Sequence, residues 1–201
     1  MAISPADVKK LRDQTGCGMM DCKQALQEAN GDFEEAKDIL RKKGIAVAAK
    51  RADRSASQGT IVSYIHGEGR IGVLLELNCE TDFVARTDAF RALARELAMQ
   101  VAAATPKWVS KENVSEADLQ RERNVLLEQA KAEGKPDNIA EKMVEGRMRK
   151  FYEDFCLLDQ EYIRDESKKV QDLVDDLLSQ CGEKVVVRRF VRYALGEELP
   201  E

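Results

Sequence analysis

Residues 71–79, IGVLLELNC, place Ile71, Val73, Leu75, Leu77 and Cys79 at every second position. A period of two marks a strand, because successive side chains leave opposite faces of the backbone. The intervening Gly72, Leu74, Glu76 and Asn78 make the more polar face. Just upstream, GTIVSYIH (59–66) is rich in β-branched residues, and GEGR (67–70) carries the two glycines of a hairpin loop. The stretch therefore predicts an antiparallel pair buried mainly on one side. Such a pair has to be packed by other elements.

Those elements read as helices. Thr87 is a cap for a helix through 88–103 with Phe90, Leu93, Ala94, Leu97 and Val101 inward. Ser115 and Asp118 have the spacing of a capping box and open a second helix. GKPDN (134–138) breaks the pattern, and a further helix covers about 138–157 with Ile139, Met143, Met148, Phe151 and Phe155. Ser167 is expected to start a last helix through Leu173, Val174, Leu177 and Leu178, closed by Gly182. KVVVRRFVRYAL (184–195) predicts a third strand, with Arg188, Arg189 and Arg192 exposed on an edge, where charge deters aggregation.

The first 44 residues predict three short helices. Ser4-Pro5 is a start signal, TGCG (15–18) a break, Asn30-Gly31 a stop and Asp32 the next cap. Val8 and Leu11, then Met19, Cys22, Leu26 and Ala29, then Phe33, Ala36 and Leu40 supply apolar stripes. RKKG (41–44) is expected to end the third helix, with cations in its last turn and glycine beyond. Residues 45–58 then form a partly helical linker. The fold class is α+β, a three-helix module with its linker over 1–55 and a core over 56–201 with a small antiparallel sheet packed by helices.

The formal net charge of −5 argues against general nucleic-acid binding. No run of about 18 apolar residues predicts a membrane span, and the N-terminus has no apolar core of a secretory signal. Five cysteines at 17, 22, 79, 156 and 181 have no framework spacing and read as reduced thiols of a cytoplasmic protein.

Few residues suggest chemistry. Cys17 and Cys22 lack a second pair to complete a metal site. His66 and Cys79 would need an orienting third group to act as a nucleophile pair. Glu80, Asp82 and Asp88 imitate a metal cluster but also suit a solvated loop. Arg41, Lys42, Lys43, Lys50, Arg51 and Arg54 are a basic stretch, explained in part by a helix C-terminus, with RNA contact as the weaker alternative. The residue that demands a reason is Phe83 in ELNCETDFVART (76–87), a large aromatic between strand and helix. It is either a packing plug or displayed for a partner. Met19 and Met20 raise a similar choice, with at least one expected in the module core and the other on an apolar rim.

LRDQTGCGMMDCKQALQEANGDFEEAKDILRKKGIAVAAKR (11–51), ELNCETDFVART, KFYEDFCLLDQEYI (150–163) and VVVRRFVRYALGE (185–197) closely resemble, in that order, segments of the elongation factor Ts family. The resemblance implies a guanine-nucleotide exchange factor for the GTPase elongation factor Tu, without catalytic residues, cofactor or bound metal of its own. It implies a ubiquitin-associated-like N-terminal module that docks on the partner's nucleotide-binding domain, with Gly16, Met19 and Met20 as contacts. It also implies that Thr81, Asp82, Phe83 and Val84 reach toward the partner's magnesium site and help dislodge the ion. Asp82 would reposition groups there or cap a partner helix. Longer members of the family carry two core halves, whereas this chain has room for one, from which a homodimer is expected. Glu161-Tyr162 stand where the family often has proline and phenylalanine. Two other readings stay open at this point: a ubiquitin-associated-type scaffold for another helical partner, and a thiol-dependent enzyme.

Overall fold

A computed structural model describes residues 3–50, 53–133 and 136–198. Arg51 of the basic stretch and Gly134 and Lys135 of the GKPDN break lie outside them. The chain order is α1 (Pro5–Thr15), α2 (Met19–Glu28), α3 (Phe33–Lys50), β1 (Gln58–His66), β2 (Ile71–Cys79), α4 (Asp82–Ala85), α5 (Asp88–Ala104), α6 (Glu116–Ala132), α7 (Asp137–Phe155), β3 (Glu161–Tyr162), β4 (Asp165–Lys169), α8 (Val170–Cys181) and β5 (Val185–Ala194). N-terminal helices thus precede a core with a three-stranded antiparallel sheet in the order β1-β2-β5 and a separate β3–β4 pair. Two compact units result, one from Met1–Val62, Leu75–Glu96 and Asp172–Arg188, the other from Ser63–Leu74, Leu97–Gln171 and Arg189–Glu201.

In the first unit, the three N-terminal helices close over Val8, Leu11, Cys17, Cys22, Ala25, Leu26, Ala29, Ala36 and Leu40. Ser4 caps α1 reciprocally: its hydroxyl accepts from the Asp7 amide at 3.1 Å while Asp7 accepts from the Ser4 amide at 3.2 Å. The sheet's inner residues Leu75, Leu77 and Cys79 are buried, as are Phe90, Leu93 and Ala94 of α5 and Val174, Leu177 and Leu178 of α8. In the second unit, α6 and α7 enclose Val114, Leu126, Met148, Phe151 and Cys156. Trp108 packs on Phe151 there, with ring centroids 5.7 Å apart. The expected box at the start of α6 is present, Ser115 Oγ accepting from the Asp118 amide at 3.1 Å.

Three local expectations need correction. The third helix does not end at Gly44 but runs on to Lys50. Glycine at 44 serves close approach instead: a Cβ there would collide with Ser179 Oγ of α8. The last helix does not start at Ser167, which lies in β4. The Asp165 carboxylate accepts from the Ser167 amide at 3.2 Å and its hydroxyl at 2.6 Å, and residues 165–169 pair with β3 before the helix begins at Val170. Arg192 is not an exposed edge charge: its guanidinium donates to the Ala102 carbonyl at 3.5 Å and pairs with Glu197 at 3.2 Å. The alternation of β5 also changes phase at Arg188–Arg189, two consecutive exposed residues.

The β3–β4 pair had no sequence pattern of its own. Buried Gln100 holds it, donating to the Glu161 carbonyl at 3.1 Å and accepting from the Ile163 amide at 3.0 Å. Gln160, equally buried, donates to the Asp154 and Ala104 carbonyls. The backbone around Glu161-Tyr162 is therefore fixed by two buried amide side chains.

Candidate functional site

Where β2 ends, the chain makes one short, tightly tied turn. Thr81 is extended (φ −125°, ψ 155°) and caps the four-residue helix α4. Thr87 closes the turn and starts the next helix: its hydroxyl donates to the Val84 carbonyl at 2.8 Å and accepts from the Phe90 amide at 3.3 Å. Ala85 is buried and anchors the inner side of α4. Phe83, on the outer side, is 80% exposed. The packing-plug reading therefore fails. Phe90, seven residues on and 0% exposed, fills the core instead.

The root of this turn is held by a second segment. The Glu183 carboxylate accepts from the Thr81 amide at 3.0 Å through Oε2 and from the Thr81 hydroxyl at 2.6 Å through Oε1. Cys79 Sγ donates to the Thr81 carbonyl at 3.1 Å. Next to it, Glu80 accepts from the Lys184 amide at 2.7 Å and from Arg54 at 3.0 Å. Asp82 pairs with Arg86 at 2.9 Å, one helical turn on. The acidic residues of the segment thus have protein partners, and no group of three or more potential metal ligands occurs among the described residues.

The N-terminal module presents a different surface. Gly16 is the left-handed C-cap of α1 (φ 69°), its amide donating to the Arg12 carbonyl at 2.7 Å. A Cβ at Gly16 would lie 2.8 Å from Gln180 Cγ. Gly16→Ala is therefore expected to destabilise the protein by about 1–2 kcal/mol, the cost of a side chain in the left-handed region, which a urea melt would measure. Met19 is 45% and Met20 74% exposed, so the expectation that one of them is core is corrected. Cys22, Ala25, Leu26 and Ala29 already complete the inward stripe of α2. Two exposed thioethers at the start of α2 are what an adaptable contact surface needs.

Comparison with known proteins decides the family. The profile of the family described as Elongation factor TS matches residues 8–197. The chain belongs to the elongation factor Ts family. It is 57% identical over 195 residues to the elongation factor Ts of Thermoanaerobacter sp. (strain X514), covering 97% of this chain and 96% of that one. With the elongation factor Ts of Caldanaerobacter subterraneus subsp. tengcongensis it shares 56% over 195 residues, covering 97% and 98%. With that of Moorella thermoacetica it shares 57% over 195 residues, covering 97% and 96%. Membership brings with it the coarse role of a translation elongation factor.

Burial disfavours the charged form of four of the five thiols in this member of the elongation factor Ts family. Burial pushes the Cys79 thiol up from an ordinary 9.0 to about 11 and the Cys156 thiol equally far, and raises Cys17 and Cys22 as well. A thiol held neutral is a poor nucleophile. Native alkylation near pH 8 is expected to label the half-buried Cys181 first and to leave Cys79 and Cys156 unmodified, as read by peptide mass. A folded pKa above the unfolded one contributes stability below pH 9 that fades as pH rises toward 11. The basic stretch is also engaged: Arg41 pairs with Asp172, Lys43 with Glu28 at 2.9 Å and Arg54 with Glu80 at 3.0 Å. The residue that sequence reasoning missed is Glu183. Its partner Thr81 lies 102 residues away, and no local pattern marks the pair.

Proposed function

We propose that this protein is the guanine-nucleotide exchange factor for elongation factor Tu, acting in the cytoplasm. The observation that carries this reading is Phe83, a large aromatic held in solvent on a turn whose backbone is tied at both ends. A GTPase grips GDP through backbone amides around the phosphates and through magnesium. A nanomolar complex corresponds to about −12 kcal/mol. With an association rate of about 10⁶ M⁻¹s⁻¹, release takes on the order of 10³ s. Loosening that grip breaks no covalent bond, so the factor needs no acid, base or nucleophile.

What it needs is preference for the empty, distorted GTPase over the GDP-bound one. A 10⁴-fold acceleration takes about 5.5 kcal/mol of such preference. Burying Phe83 yields roughly 1.5–3 kcal/mol. The remainder falls to the wider interface, with Met19 and Met20 of the N-terminal module as anchor and Thr81, Asp82 and Val84 flanking the wedge. By linkage, incoming nucleotide weakens the factor's grip to the same degree and frees it. Release of a fluorescent GDP from elongation factor Tu, followed with and without the protein, tests the proposal. Acceleration that saturates with added protein is expected; an unchanged release rate refutes it.

The protein is further proposed to work as a homodimer. β5 lies at an edge of the sheet, and Ile65, Leu74, Val191, Tyr193 and Leu195 of the second unit are exposed. Such an apolar face suits a second copy. Light scattering at micromolar concentration is expected to give twice the 22.6 kDa chain mass. A monomeric mass overturns this part alone.

A further inference from the structure

We propose that Glu183 is a positioning residue for nucleotide exchange: it sets the direction in which Phe83 is presented. The inference rests on the reading of Phe83 as the wedge and adds a residue outside the segment 81–84.

An exposed aromatic on a four-residue helix has little local support. One turn cannot hold itself together, because nucleation of a helix is unfavourable without outside contacts. The cap bond inside the turn is long, 3.5 Å from the Val84 amide to Thr81 Oγ1. The shortest bond at its first residue comes from outside. Glu183 accepts from both the amide and the hydroxyl of Thr81, at 3.0 and 2.6 Å. Bonds to an ionised acceptor are the strong ones, and two on one residue fix an orientation as well as a distance. The same Thr81 hydroxyl that donates to Glu183 turns its lone pair to the Val84 amide, so the carboxylate also aims the cap. Lys184, the next residue, donates its amide to Glu80 at 2.7 Å. Two adjacent residues at the entry to β5 thus clasp two adjacent residues at the exit of β2.

A wedge acts only if it arrives already oriented. A Phe83 that samples many directions in the free protein must be ordered during exchange, and that cost falls on the step that displaces the ion. Resting affinity, spread over the wider interface, is affected less. The signature of a positioning role is therefore a split between rate and affinity.

The test compares wild type, Glu183→Ala, Glu183→Gln, Phe83→Ala and the double variant Glu183→Ala/Phe83→Ala. Maximal rates of fluorescent GDP release from elongation factor Tu are read beside affinities for the GDP-bound GTPase, with circular dichroism melts as the control for folding. Glu183→Ala is expected to lower the maximal rate about tenfold while affinity changes less than about threefold. Glu183→Gln, which keeps one acceptor oxygen and the shape, is expected to lose less and guards against a fold defect in the alanine variant. The double variant should be no slower than Phe83→Ala, since a misdirected wedge and a missing one are equivalent. If Phe83→Ala is slow but both Glu183 variants run at the wild-type rate, the positioning role is overturned and the wedge stands. If the double variant loses the product of the two single effects, Glu183 acts independently of Phe83 and the proposal is also overturned. If Phe83→Ala itself exchanges normally, the wedge reading falls and takes this inference with it.

Discussion

Phe83→Ala is expected to slow factor-driven GDP release by roughly one to two orders of magnitude, the rate equivalent of losing the burial of one phenylalanine. Its melting temperature should match that of the wild type. The side chain is 80% exposed and makes no core contact to lose, and surface substitutions of that kind stay within about 0.5 kcal/mol. Binding to the GDP-bound GTPase should weaken far less than the rate, because most of the affinity lies elsewhere in the interface. Stopped-flow release of fluorescent GDP and a thermal melt on the same preparation check both halves. Undiminished release would remove the wedge. A large drop in stability would mean that the turn packs more than its exposure indicates.

Phe90→Ala is expected to show the opposite pattern. Phe90 is fully buried at the start of α5, and its amide completes the cap made by Thr87. Deleting a buried phenylalanine costs about 3–5 kcal/mol. That is a large part of the roughly 5–15 kcal/mol that holds a domain of ordinary stability. Urea unfolding should reveal it directly. Whatever exchange activity is lost should return at low temperature, where the folded fraction recovers, whereas the defect of Phe83→Ala should persist at any temperature that leaves the protein folded. Phe90→Leu keeps most of the volume and is expected to cost less than about 1.5 kcal/mol. An alanine variant as stable as the wild type would contradict the placement of this side chain. The two phenylalanines stand seven residues apart, so the pair separates function from folding within one short segment.

The contrast also shows what the sequence alone could reveal. The stripe Phe90, Leu93, Ala94, Leu97 and Val101 is regular, and periodicity placed it inward where the structure has it. The cap of Ser115 with Asp118 was equally readable because the partners are three residues apart. Gly44 misled for a physical reason. A glycine after two lysines has the composition of a helix end, yet what it serves is the close approach of α8, more than a hundred residues on. The β3–β4 pair escaped because it depends on Gln100, whose polar side chain looks like a surface residue until its partners are known. Ser167 was misassigned for a related reason: Asp165 captures it in a local turn that competes with a helix cap.

Around Phe83 the division is sharper. The aromatic between a strand and a helix raised the question, and resemblance to the elongation factor Ts family supplied a use for it. Its exposure and the clasp from Glu183 are three-dimensional facts. No spacing rule links residues separated by 102 positions. The methionines show the same limit. Periodicity put Met19 on the stripe of α2, but the stripe was already filled by smaller side chains further along the helix, which left both methionines in solvent.

All of these residues matter to exchange only if the protein distinguishes the two states of its target. The most direct measurement is calorimetric binding to elongation factor Tu prepared once without nucleotide and once saturated with GDP and magnesium. The proposed mechanism requires the empty form to bind tighter by a factor on the order of 10⁴, with the gap narrowing in Phe83→Ala. Equal affinity for the empty and the GDP-bound GTPase would contradict it.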